Sequence, residues 1–280
     1  MLQRILVPTD GSPESEKPVP IAAQLAQAQG GEVMLVSVVE RPSFTGSEEG
    51  YAMPPDIYQA MVDAMEGGTR QALEKLQAVL QSQSIPVSAT ILRGQAASSL
   101  LDYEKKYNPD LVVMASHGRT GLARFAMGSV TGRLVRDGTA PVLVTRMSTE
   151  FSGSLDRALV MLDGSGRAEE SLPLVESLAG KPFKQIKLFR VVPNPADRSA
   201  AHTYLEGVAA RFTKTGVDTE IVVDIGDPRP TIERAAKDAD LVVLCTRGEG
   251  GFDRLRHGSV ADHVLRGLGT PTLLVRTADR

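Results

Sequence analysis

At 280 residues the chain is long enough for two domains of about 140 residues, each within the usual single-core range. An apolar share of 42% with only 4% aromatics and no Trp suits aliphatic α/β cores rather than a sandwich. A net charge of −3 and a pI near 5.9 supply no basic field to recruit nucleic acid, and a single cysteine, Cys245, excludes an intrachain disulfide framework and fits a reducing compartment.

The N-terminus enters a strand pattern at once, which leaves no room for a signal peptide, and no apolar run approaches membrane-spanning length. A soluble, cytoplasmic protein without membrane partners is expected. Arg4–Pro8 reads as the first strand, ended by Thr9, Asp10, Gly11 and Ser12. A helix follows through Ile21, Leu25 and Ala28 and stops at Gly30-Gly31, with Pro18 and Pro20 obscuring its first turns. Glu32–Val39 is a second buried strand. Residues 41 to 55 form a polar loop punctuated by Gly and Pro, of the kind that is functional or disordered in a compact domain; it is placed as a lid over a site at that sheet end. A long helix is expected from about Ile57 to Ser82, with Ile57, Met61, Met65, Leu73, Leu76 and Leu80 on its apolar side and Gly67-Gly68 as a weak point. Val87–Leu92, Asp110–Met114 and Val142–Thr145 are three further strands, and a helix opens at Gly128-Ser129. Strands alternating with helices imply a parallel sheet with right-handed crossovers and helices on both faces.

The chain contains this unit twice. Residues 110–146 align without a gap on residues 240–276, with 14 of 37 positions identical, among them Gly118/Gly248, Arg124/Arg254, Gly128/Gly258, Ser129/Ser259 and Pro141/Pro271. Upstream, Arg157–Met161 and the Asp163-Gly-Ser turn repeat the first strand and its Asp10-Gly-Ser turn. The offset is 153 at the aspartate and 130 at the glycines, so the second copy is 23 residues shorter between them. Most of that deletion falls in the region of the first loop and long helix. Domains of 1–147 and 156–280 follow, joined by a Ser- and Gly-containing linker.

In a doubly wound sheet of order 3-2-1-4-5, the order reverses between strands 1 and 4, and ligands bind at the carboxyl ends there. Asp10 and the segment Ala115–Gly118 therefore face one crevice. Each motif also has a plain reading. Asp10 suits an Asx-turn before Gly11. Gly118 and Gly128 suit a turn and a helix start, and Ser129 suits an N-cap. In the functional reading, strand, glycine loop and helix N-terminus make a phosphate cradle, because the first N–H groups of a helix lack helical partners and the dipole favours negative charge. Two copies with equal spacing favour the functional reading. His117 is either a γ-phosphate contact or merely exposed. Cys245, ending a buried strand, is a small apolar filler rather than a redox sensor.

The motif is a small residue, two residues, Gly, nine residues and Gly-Ser, with an aspartate after the first strand and a closing Pro-Val-Leu-Val strand. It resembles the universal stress protein family, as a tandem pair over nearly the whole chain. The resemblance implies two five-stranded parallel-sheet domains of the adenine nucleotide α-hydrolase-like kind, paired through their last strands as an internal pseudo-dimer, with further association into a homo-oligomer. It implies ATP, or ADP or AMP, accompanied by Mg²⁺. Pro8 and Thr9 would border the adenine with Val38 and Met114 beside it. Asp10 and Ala115 would meet the ribose, and Gly118, Gly128, Ser129, Val130 and Thr131 the phosphates. Ala115 departs from the glycine usual at its position. In the second copy Asp163, Gly248, Gly258, Ser259 and Val260 persist. However, Cys245 replaces that glycine, Arg247 replaces His117, Ala261 replaces Thr131 and Leu162 replaces Thr9. A weakened second site is expected, unless Arg247 or Arg256 compensates.

The function implied is a nucleotide-dependent stress regulator with at most slow hydrolysis. No metal triad, no Ser/His/Asp order and no Gly-x4-Gly-Lys-Ser/Thr loop is present. Two alternatives are a nucleotide-free assembly module and an ATP-pyrophosphatase or adenylyl-transferring enzyme. The latter carries Ser-Gly-Gly-x-Asp-Ser after strand 1, where this chain has Asp10-Gly-Ser-Pro-Glu-Ser.

Overall fold

The computed structural model describes residues 2–40, 54–117, 127–146, 148–149, 151–246 and 259–277. The loop 41–53, Gly118, Arg247, Gly248, Arg256 and Gly258 lie outside them, so the lid expected at 41–55 and the phosphate roles of these residues are not described.

The first half runs β1 (Arg4–Pro8), α1 (Pro13–Glu16), α2 (Val19–Gln29), β2 (Glu32–Val39), α3 (Pro55–Ser82), β3 (Val87–Arg93), α4 (Ala96–Tyr107), β4 (Leu111–Ala115), α5 (Ser129–Asp137) and β5 (Val142–Thr145). The second half runs β6 (Arg157–Met161), α6 (Leu172–Leu178), β7 (Gln185–Val192), α7 (Arg198–Ala209), β8 (Asp218–Ile225), α8 (Pro228–Ala236), β9 (Leu241–Cys245), α9 (Ser259–Gly267) and β10 (Thr272–Val275). All strands join one sheet in the order β3-β2-β1-β4-β5-β10-β9-β6-β7-β8. Each half is parallel with the order 3-2-1-4-5 expected from the sequence, and β5 meets β10 antiparallel through Val142, Leu143 and Val144.

The strands are continuous runs of Val, Leu and Ile because helices cover both faces. Ile5, Val7, Val33 and Leu35 pack on one face under α2 and α3, joined by Leu172, Val175, Ala201 and Leu205 from α6 and α7. Leu6, Met34, Val36 and Val112 pack on the other under Leu100 of α4 and Leu134 of α5, joined by Ile232 and Val264 from α8 and α9. Equivalent helices of the two halves therefore cover the same face. Since β5 and β10 run antiparallel, the carboxyl ends of the two parallel halves point to opposite edges of the sheet.

The long helix differs from expectation. It is continuous across Gly67-Gly68, and only Leu73, Leu76 and Leu80 are buried. Ile57 and Met65 remain exposed, and Met65 borders the crevice described below. Helix α7 is 12 residues against the 28 of α3, which accounts for much of the deletion in the second copy.

Two invariant positions of the duplication turn out to be structural. Asp110 accepts the backbone N–H groups of Gln3 (2.7 Å) and Arg4 (2.9 Å), and Asp240 accepts that of Arg157 (2.8 Å). These carboxylates lock the start of the central strand against its neighbour, at the sheet end away from the crevice.

Candidate functional site

The carboxyl ends of β1, β2 and β4 and the start of α5 enclose a cavity of about 430 Å³. Its walls include Pro8, Thr9, Asp10, Val38, Met114, Ala115, His117, Ser129, Val130 and Thr131. The described residues named from sequence are thus brought together, with Gly128 directly behind Ser129. The cavity lies where the strand order reverses, and its volume falls within the range of about 300–1,000 Å³ typical of small-molecule sites.

Local chemistry explains the shape of its rim. Asp10 Oδ1 accepts from the N–H (3.0 Å) and the hydroxyl (2.6 Å) of Ser12, an Asx-turn that places Gly11 at φ +77°. Asp163 does the same with Ser165, at 2.9 and 2.6 Å, around Gly164 at φ +93°. The turn reading of Asp10 is therefore correct, while its carboxylate also borders the cavity. Thr9 is held by Ser15 (Oγ to Oγ1, 2.9 Å) and accepts from Gly11 N–H (3.1 Å).

At the α5 end the N-cap is Gly128, with no side-chain capping bond, and Ser129 is the first helical residue, exposed into the crevice. The capping reading of Ser129 is thereby replaced. The first intrahelical bond runs from Gly132 N–H to Gly128 O (2.8 Å), so the N–H groups of Ser129, Val130 and Thr131 have no acceptor within the helix. Gly128 has a packing reason of its own: a Cβ there would stand 2.7 Å from Ser116 O. Its N–H also donates to that oxygen (2.9 Å), stitching the helix start to the end of β4. The Thr131 hydroxyl donates to Ala115 O (2.9 Å), so that side chain ties the helix start to the end of β4.

The electrostatics favour backbone donors over side-chain cations. Burial, and after it the positive charge of Arg146, holds His117 below its usual imidazole range, so it is neutral at pH 7. Asp10 and Glu40 are the acidic groups of the lining.

Sequence reasoning missed Ser15, Glu40, Met65 and Thr69. Glu40 Oε1 accepts Ala96 N–H (2.8 Å) at the start of α4, and Met65 and Thr69 reach in from α3. Their only signal was position, since Glu40 directly follows β2 and the α3 residues recur four apart.

The second crevice is built from the same turn but different walls. Cys245 is buried, and its thiol donates to Ala168 O (3.3 Å) where Ala115 leaves open space in the first half. Burial pushes the thiol up to about 12, which suits the filler role and leaves no thiolate at neutral pH. Leu162 and Ala261 are both buried. Ser259 and Val260 open α9 as Ser129 and Val130 open α5. A larger hollow of about 530 Å³ lies at the amino ends of β6, β9 and β10, walled by Phe151, Arg157, Lys237 and Thr270. It is remote from both switch points, and its Arg157 is paired with Asp240. Among the described residues no group of three or more His, Cys, Asp or Glu could hold a metal ion, and no helix is long and apolar enough to cross a membrane.

Two doubly wound α/β units, sharing one sheet and opening a crevice at the switch point, define a tandem protein of the class that takes its ligands beyond the strand ends. The universal stress protein family pattern matches residues 1–146 and 155–276, and the chain belongs to that family. A universal stress protein of Mycolicibacterium smegmatis is 25% identical over 294 residues, covering 97% of this chain and 96% of the relative. One from Synechocystis is also 25% identical, over 98% and 100%. Among solved structures, a universal stress protein from Archaeoglobus fulgidus superposes with a TM-score of 0.76 at 19% identity, over 98% of each chain. A putative one from Pseudomonas aeruginosa gives 0.68 at 17%, over 99% and 94%. At these identities the structures show a shared fold.

Proposed function

We propose that the first half binds an adenine nucleotide, ATP or its ADP or AMP counterparts, and that the protein acts as a nucleotide-responsive regulator of the stress type. The observation that carries this is the 430 Å³ cavity, where an apolar slot from Pro8, Val38 and Met114 runs to the start of α5. The slot suits a base, the Asp10 turn suits a ribose, and the helix N–H groups suit phosphate oxygens. A Mg²⁺ ion would be carried by the phosphates and water, with Asp10 and Glu40 as the carboxylates of the lining; the ion would neutralise phosphate charge. Binding rather than turnover is the role proposed, with occupancy biasing conformation or assembly, including association of two chains in the cytoplasm.

The test is to denature freshly purified protein, quantify released nucleotide by mass spectrometry, and titrate the stripped protein with ATP and Mg²⁺ by calorimetry. One nucleotide per chain is expected. None released, with no heat and no rise in melting temperature at millimolar ATP, would move the reading to a nucleotide-free assembly module. Steady production of AMP and pyrophosphate would replace it with an enzyme.

A further inference from the structure

We propose that the second crevice carries its own occupant, the Arg190 side chain, which closes it to nucleotide; this rests on the reading of the first crevice given above. The register fixes the comparison. Strands β1 and β2 pair from Arg4 and Glu32, and β6 and β7 from Arg157 and Gln185, so the sixth residue of the second strand is Ser37 in one half and Arg190 in the other. Ser37 lines the open cavity with a small hydroxyl.

Arg190 instead lays its guanidinium across the aspartate turn. A Cβ on Gly164 would stand 2.6 Å from Nη1 and 2.7 Å from both Cζ and Nη2, so the plane packs directly on the glycine backbone. The guanidinium also meets α7, with Cζ 5.2 Å from the Tyr204 ring centroid, a cation–π distance. Burial, and after it the neighbouring Glu169 carboxylate, pushes the half-buried Tyr204 phenol above its ordinary range. Cys245 supplies further bulk from β9, with its thiol turned onto Ala168. Among the described residues the two halves therefore share a fold and a turn, but Ser37 lines a cavity in one and an arginine lies on the turn in the other.

The closing arrangement has a thermodynamic consequence. A crevice open about 1% of the time binds about 100-fold more weakly than the same crevice held open. The experiment is calorimetric titration of the full chain with ATP and Mg²⁺, comparing the unaltered protein with Arg190→Ser and Arg190→Ser/Cys245→Ala. The expected result is one site in the unaltered protein and a second site in the double variant, gained by about 100-fold in affinity. Two sites in the unaltered protein would mean that the arginine swings aside, and one site in a folded double variant would mean that it is not the barrier. Either overturns this inference and leaves the first-crevice reading intact. No site in the unaltered protein with one in the double variant would overturn the first-crevice reading alone.

Should the variants fail to fold, the unaltered protein still decides. The Arg190 Nε–Hε resonance, assigned by NMR, is expected to stay slow to exchange and unmoved as ATP saturates the chain. A saturable shift of that resonance would overturn the proposal.

Discussion

Glu104 offers the sharpest quantitative test of how the duplicated unit is held together. Its carboxylate is buried under the loop from α5 to β5, where Oε1 accepts Thr139 N–H (2.5 Å), Thr139 Oγ1 (3.0 Å) and Ala140 N–H (2.7 Å). Gly138 makes room for it: a Cβ there would stand 2.7 Å from Oε2. In the second half the corresponding places on the buried stripe and the loop are taken by Ala236 and Leu268, both buried. The second copy thus fills with a leucine the volume that the first fills with a carboxylate. Replacing Glu104 by Ala leaves the buried Ala140 N–H without its acceptor, at about 1–3 kcal/mol, while water can reach the exposed Thr139. Lost methylene burial adds about 1 kcal/mol, and relief of a buried charge subtracts some of this, for a net loss near 2–3 kcal/mol. Gly138→Leu alone should also destabilise, because its Cβ would stand 2.5 Å from Leu134 O and 2.7 Å from Oε2. In the Glu104→Ala background the contact with Leu134 O remains but the collision with the carboxylate is gone, so the same leucine should cost less, giving a coupling of about 1–2 kcal/mol in favour of the pair. Urea unfolding followed by far-ultraviolet circular dichroism of all four proteins measures it. A Glu104→Ala loss below about 0.5 kcal/mol, or additive single effects, would refute the reasoning.

Two further outcomes are expected. Gly128→Ala puts a methyl 2.7 Å from Ser116 O, so α5 must move off the end of β4; ATP affinity should fall at least about tenfold, with a lower melting temperature, and an unchanged affinity would show that the helix start does not meet the ligand. His117 is held below its usual pKa, so between that folded value and about 6.5 the unfolded chain binds the extra proton and stability falls as the solution is acidified; above about 6.5 the contribution is complete. Melting temperatures of the ligand-free protein and His117→Gln should therefore converge or cross toward pH 5, with the variant gaining relative to its parent. Parallel curves from pH 8 to 5 would contradict the burial of that ring.

How much of this was legible in the sequence depends on whether the determinant is local. The duplication, the strand order and the aspartate turns are written in short runs, and the residues named at the crevice from them converge wherever the structure describes them. Met65 and Thr69 escaped because they enter the site only through the packing of α3 on the sheet, and Glu40 because its place just after β2 was not read as part of the crevice. Ile57, Met61 and Met65 suggested a core stripe by periodicity, yet the buried stripe of α3 is confined to Leu73, Leu76 and Leu80, Met61 is half-buried and Met65 borders the cavity. Arg190 was silent for a different reason: its importance appears only when β2 and β7 are set in register and its side chain is seen on Gly164. Gly128 was read as a mark of ligand approach, whereas its contact with Ser116 O would demand glycine even without a ligand.

The joint between the halves carries the remaining argument. Short apolar edge strands such as β5 and β10 invite pairing, and here each covers the other. Beyond the three paired positions, two arginines cross the seam in opposite senses. Arg146, following β5, donates to Leu265 O near the end of α9 (2.6 Å), and Arg276, following β10, donates to Gly138 O at the end of α5. Cations at helix carboxyl ends are favourable, and each helix is thereby anchored by the opposite half. Helix α5 then has its first turn at the first crevice and its last carbonyls held by the second domain. A ligand that shifts the start of α5 must strain the Arg276 contact or carry the seam with it. Helix α9 is anchored in the same way through Leu265, so if Arg190 closes the second crevice as proposed, only a ligand in the first would act on the joint.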